Sequence, residues 1–204
     1  VDCNVNCVDL TATVLETGAT TTYTVSSVPF APPAPFTGGT AQFINTDDIW
    51  GGVINLPFNF CFYGNVYSQV VIGANGLITF DITEANQGCD WAFTDLIPSP
   101  NLYTNCIMGA YHDIDPSAEG DISYFIQGSA PCRMFVVSFN NVAHFDCDCQ
   151  GGIFGGGCSH TTQQIVLYET TNVIEVYIQQ KETCSSWNSG NAVIGIQDIT
   201  GTTG

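Results

Sequence analysis

Leu56 to Asp81 reads LPFNFCFYGNVYSQVVIGANGLITFD, and this stretch decides the fold. Two runs rich in β-branched and aromatic residues, Gln69 to Ala74 and Leu77 to Asp81, flank Asn75-Gly76. Asn-Gly supplies the positive φ angles of a tight type I′ turn, so the runs are expected to pair as an antiparallel hairpin. Just upstream, Phe58, Phe60 and Phe62 alternate with Asn59, Cys61 and Tyr63, which puts three rings on one face of a strand. A face of that kind needs a second layer to cover it.

The rest of the chain supplies that layer. Ile107 to His112 alternates, as do Ile122 to Gln127 and Met134 to Phe139, the last two joined by the short loop Gly128 to Cys132. Gln164 to Glu169 and Val173 to Gln179 form another hairpin over Thr170 to Asn172, and Ala192 to Ile199 closes the sheet. Thr22 to Val25 reads as an edge strand. Pro29 to Phe36, PFAPPAPF, holds four of the nine prolines and reads as a stiff extended segment wrapping the sandwich, with Phe30 and Phe36 seeking burial. Thr83 to Asn105 lacks strand periodicity and reads as a long loop clipped by disulfides. Asp146 to Thr161 is Gly- and Cys-rich and reads as a further loop.

The expected fold is therefore all-β: an antiparallel β-sandwich, jelly-roll-like, disulfide-braced, with long loops and little helix. A length of 204 residues suits one domain: an N-terminal strand and Pro-rich wrap over 1–40, the sandwich over 41–200 and a linker-like tail over 201–204.

Charge excludes several functions. Two Lys plus Arg stand against nineteen Asp plus Glu, a formal net charge of −17. Such a field repels nucleic acid and anionic lipid and favours cations and basic partners. No apolar run approaches the length of a membrane-spanning helix, so no membrane insertion is expected. The chain starts at Val1 without a signal-like segment, and we expect an exported, processed polypeptide or a piece of a longer one. The lack of an N-x-S/T sequon points to a bacterial source.

Ten cysteines, Cys3, Cys7, Cys61, Cys89, Cys106, Cys132, Cys147, Cys149, Cys158 and Cys184, form an even, scattered set without CxxC pairs. That pattern predicts disulfides and an extracellular location, with roughly 945 connectivities open. Cys147 and Cys149 are too close to be partners of each other. Cys147, Cys149, Cys158 and His160 also offer a zinc-competent set, but both ligand gaps are one residue, shorter than structural zinc uses.

The sharpest candidate site is HDIDPSAEGD, His112 to Asp121. Asp113, Asp115, Glu119 and Asp121 place four carboxylates within nine residues at a strand end. Calcium takes six to eight oxygens from flexible loops, and this segment offers that chemistry without matching an EF-hand. Asp47 and Asp48 are further candidate ligands. The competing reading is an acidic turn, with Asp and Gly chosen for turn geometry. Trp50, Trp91 and Trp187 are candidate stacking surfaces for sugar rings, against the alternative that they anchor core and loops. No GxSxG, HExxH or P-loop motif is present, and no carboxylate pair is marked out for glycoside cleavage.

The segments LPFNFCFYGNVYSQVVIGANGLITF, IMGAYHDIDPSAEGDISYFIQGSAPCRMFVVSF and TTQQIVLYETTNVIEVYIQQKETCSSWNSGNAVIGIQD together resemble a module of gliding-motility-associated, type IX-secreted surface adhesins of Bacteroidota. More distantly, the Phe-Tyr-Gly and Asn-Gly-Leu-Ile hairpin and the Asp-x-Asp strand end resemble the nidogen-type extracellular domain. The resemblance implies a non-enzymatic cell-surface adhesion or filament module without a catalytic set. Its expected partners are other copies or neighbouring modules of the same surface protein. The competing functions are a calcium-dependent carbohydrate-binding module, with glycans as partners, and a secreted hydrolase.

Overall fold

The computed structural model of the chain describes residues 20–42, 44–147, 159–185 and 187–204. Two antiparallel sheets face each other. One contains β1 (Thr40–Gln42), β6 (Ile114–Asp115), β7 (Asp121–Gln127), β8 (Met134–His144), β9 (His160–Tyr168) and β10 (Ile174–Lys181), in the order β1-β7-β8-β9-β10 with β6 also on β8. The other contains β2 (Ile54–Phe62), β3 (Asn65–Gly73), β4 (Leu77–Thr79), β5 (Cys106–Tyr111) and β11 (Val193–Gln197), in the order β11-β5-β4-β3-β2. Two short 3₁₀ turns, Ile82–Glu84 and Asn188–Gly190, are the helical content among the described residues.

Alternation in β2 works as the sequence predicts: Leu56, Phe58, Phe60 and Phe62 are buried while Asn55 and Asn59 are exposed. These rings meet Ile72 and Ile78 from their own sheet and Ile122, Phe135, Val137, Phe139, Ile165 and Leu167 from the other. Burial of each such side chain contributes about 1.5 to 3 kcal/mol.

The outer faces are covered too, which explains why β4 and β5 are buried at every position. Over the β2–β5 sheet, the loop of residues 83–105 lays Cys89, Leu102 and Phe93 on Val71, Leu77, Met108 and Tyr111. Gln197 on β11 pins that loop by accepting from the Ser99 amide and donating to the Ser99 carbonyl. Over the opposite sheet, the Pro-rich segment packs Ala34 on Val136, Val166 and Tyr177. Gln164 donates to the carbonyls of Ala34 and Pro35, and Ser138 to that of Phe36. The wrap is thus held by side chains of the sheet beneath it; Ala34 is its buried residue, and Phe30 stays 58% exposed.

Several expectations need correction. The β3–β4 hairpin forms, with Gly73 paired to Leu77, but its loop has three residues and only Gly76 has positive φ, so the turn is not type I′. Thr22 to Val25 is not a strand: Tyr23 instead docks on Phe62 and Tyr63. Among the described residues one disulfide is formed, between Cys147 and Cys184. Cys61, Cys89, Cys106 and Cys132 are free thiols, so the loop of residues 83–105 is held by burial and hydrogen bonds rather than by sulfur bridges. Cys89 and Cys106 serve as small apolar residues in the outer cluster. Cys3, Cys7, Cys149 and Cys158 lie outside the described residues.

Candidate metal centre

The site sits where the chain passes from one sheet to the other. β5 ends at Tyr111, β6 starts at Ile114, and His112-Asp113 bridge the two. The passage is closed by Asn75 in the β3–β4 loop. Its Oδ1 accepts from the Ile114 amide at 3.0 Å, and its Nδ2 donates to Asp48 Oδ1 and to the Cys89 carbonyl, each at 2.9 Å. Asn75 is itself fully buried. Trp50 locks the neighbouring segment by pairing its backbone with Gly73, where a Cβ would lie 2.8 Å from the indole ring.

Three carboxylates converge here. Asp47, Asp48 and Asp113 each place an oxygen within 4.8 Å of the others. Asp113 is 2% exposed, and among the described residues neither of its oxygens has a hydrogen-bond partner; Asp47 Oδ1 is likewise buried and without a partner among them. Burial, then the charges of Asp48, Asp47 and Asp115, push the Asp113 carboxyl up to about 8. Burial and the same neighbourhood raise Asp47 to about 6. Asp48 is raised by burial too, with the Asn75 hydrogen bond pulling the other way.

The four carboxylates singled out in the sequence do not all meet. Asp113 joins Asp47 and Asp48, and Asp115 contributes its charge nearby while its Oδ1 accepts from the amide and hydroxyl of Ser117. Glu119 turns outward to Asn141 and His160, and Asp121 accepts from Asn140 on β8. Between Glu119 and Asp121, Gly120 lies beside the β8 bulge, where a Cβ would come within 2.4 Å of the Asn141 carbonyl. Asp47 and Asp48 rank above Glu119 and Asp121 because of a contact across 27 residues of sequence, which the sequence marks only by Asn75 standing in a turn.

Of the zinc-competent set, Cys147 sulfur is bonded to Cys184 and His160 Nε2 faces Glu119, while Cys149 and Cys158 lie outside the described residues. Trp50 cannot stack on a ligand because it is completely buried against Tyr103 and Cys89. Trp91 is 38% exposed, and Trp187 lines an open cleft of about 420 Å³ with Phe93, Asp95, Asn101 and Leu102. Alongside the acidic centre, His112 and His144 stack edge to face and both bring Nε2 to within 2.8 Å of the Thr161 hydroxyl. Burial, with each imidazole's cationic neighbours, holds His112 well below its ordinary pKa and His144 at about 4.

These features define a β-sandwich module whose most distinctive chemistry is a buried acidic centre at the crossing between its sheets. A family model described as NIDO related matches residues 21–203, and the chain belongs to the NIDO-related family. That family is one of structural or adhesion-type modules, typically extracellular, and is not a known enzyme family. No curated protein and no solved structure matches the chain.

Proposed function

We propose that the chain is a non-enzymatic adhesion or surface-filament module of a secreted bacterial protein, of the kind found in gliding-motility adhesins, and that it associates with other copies or neighbouring modules. Membership of the NIDO-related family supports the adhesive or structural class. The observation that carries the assembly is edge strand β10. It pairs with β9 alone among the described residues, and Ile174 to Ile178 run without bulge, proline or lysine. Natural edges are normally guarded by such devices. The other long edge, β2, does have them, with Pro57 and a register shift between Asn55 and Phe60. An open β10 suits strand addition from another chain. Sedimentation and negative-stain imaging of the purified chain test this: concentration-dependent oligomers that dissociate in a Val173→Lys, Gln179→Lys variant are expected. Monomers at every concentration contradict it.

A second reading, carbohydrate binding, draws on the cleft where Trp187 and Phe93 stand beside Asp95 and Asn101. Binding on a glycan array that is lost in Trp187→Ala supports it, and an array without signal removes it.

A further inference from the structure

We infer that Asp47, Asp48 and Asp113 form a calcium site that ties the segment before β2 to the crossing between the two sheets. The inference stands on geometry and is independent of what the module adheres to.

Three carboxylates within 4.8 Å of one another are mutually repulsive in a chain of net charge −17. Asp113 is the decisive member. It is 2% exposed, it brings one oxygen into the cluster, and neither of its oxygens has a donor from any described residue. Buried polar groups almost always find a partner, and a charge left without one calls for a cation. The protein has none to offer. Its two Lys and Arg side chains are committed elsewhere, Arg133 forked onto Glu169 and Lys181 donating to the Gly190 carbonyl.

The nearby donor is also spent: Asn75 Nδ2 serves Asp48 and the Cys89 carbonyl. The neighbouring imidazole of His112 is turned to Thr161. What remains is a set of oxygens: three carboxylates, with the Cys89 and Asp90 carbonyls around the same Asn75 amide. An all-oxygen set selects a hard cation over zinc or copper. Its oxygens come from loops and a strand crossing, so the spacing can adjust to the 2.3–2.6 Å bonds and high coordination number of calcium. Magnesium demands a tighter octahedron and gives up its waters reluctantly.

The experiment uses the full chain, stripped with EDTA and titrated calorimetrically with calcium chloride, alongside thermal melts. One calcium per chain is expected, with the Tm raised by about 5 to 10 °C when calcium exceeds its Kd a hundredfold. Asp113→Asn, which removes the charge at nearly constant shape, is expected to lose the calcium response while melting no lower than the stripped wild type. Asp48→Asn, on a half-buried side chain, serves if Asp113→Asn does not fold, and is expected to weaken binding at least tenfold. A Glu119→Gln, Asp121→Asn variant is expected to keep the full response. Silence up to about 10 mM calcium, beyond the range of extracellular calcium modules, overturns the inference. So does a response that survives in both Asp113→Asn and Asp48→Asn, or one that magnesium reproduces at equal concentration.

Discussion

Asn75 Nδ2 and Asp48 Oδ1 meet at 2.9 Å across 27 residues of sequence, and this bond joins the β3–β4 turn to the segment that precedes β2. The same side chain holds the start of β6 and the Cys89 carbonyl, so one amide ties four stretches of chain together. It also orients one carboxylate of the acidic centre.

Replacing Asn75 with Ala strands the Ile114 amide in the interior and frees the turn. We expect a loss of about 3 kcal/mol in unfolding free energy, the scale of buried hydrogen-bond partners left unsatisfied. Urea unfolding checks this; a loss below about 1 kcal/mol is incompatible with the role given to Asn75.

Gln163 is the second polar tie between layers. From β9 it accepts from the Ala110 amide and donates to the Ala110 carbonyl on β5, in the opposite sheet. Gln163→Leu keeps the volume and leaves those backbone groups unpaired, at a cost of about 2 kcal/mol. Gly76→Ala is expected to be worse. Its Cβ would sit 2.4 Å from the Ala110 carbonyl and 2.7 Å from Gln163 Nε2, on a residue with φ of +86°. Melting both variants beside the wild type ranks them.

His144 makes the fold acid-sensitive. With its pKa held near 4 by burial, the folded state binds fewer protons than the unfolded one, so stability is full above about 6.5 and falls as pH drops toward 4. The fall is roughly 3 kcal/mol across that window. Asp113, raised to about 8, acts with the opposite sign, weakening the cation-free fold as pH rises from about 4 to 8. Comparing wild type with His144→Asn at each pH separates the two: their difference in stability is expected to shrink on acidification.

Thiol accessibility follows burial. Cys132 is exposed and is expected to alkylate in the native protein, with the half-buried Cys61 slower. Cys89 and Cys106 are completely buried, and burial pushes the Cys89 thiol up to about 12, far from its reactive thiolate form. Peptide mapping after iodoacetamide is expected to find both unmodified until the protein unfolds. A native disulfide at either position contradicts the packing described here.

The elements with the strongest local pattern were legible. Alternating Phe58, Phe60 and Phe62 marked β2, and the pairings of β3 with β4, β7 with β8 and β9 with β10 followed from flanking turn residues. Strand ends were less so. β8 runs on to His144 through a bulge at Asn141, whose φ is +52°, because the partner strand β9 continues to pair beyond the break. Cysteine pairing was misread for Cys89 and Cys106, where an even count says nothing about which sulfurs are buried apart. The acidic centre was half legible. Asp113 and Asp115 stood out by local crowding, but the contribution of Asp47 and Asp48 depends on a loop closing over Asn75, and periodicity does not encode contacts of that range.

The most direct test of the buried acidic centre is the anomalous difference density of crystals grown in calcium. A single peak bonded at about 2.3 to 2.6 Å to carboxylate oxygens of Asp47, Asp48 and Asp113 is the expected result. An empty centre with Asp113 hydrogen-bonded to an ordered water, or a calcium held instead by Glu119 and Asp121, would contradict it.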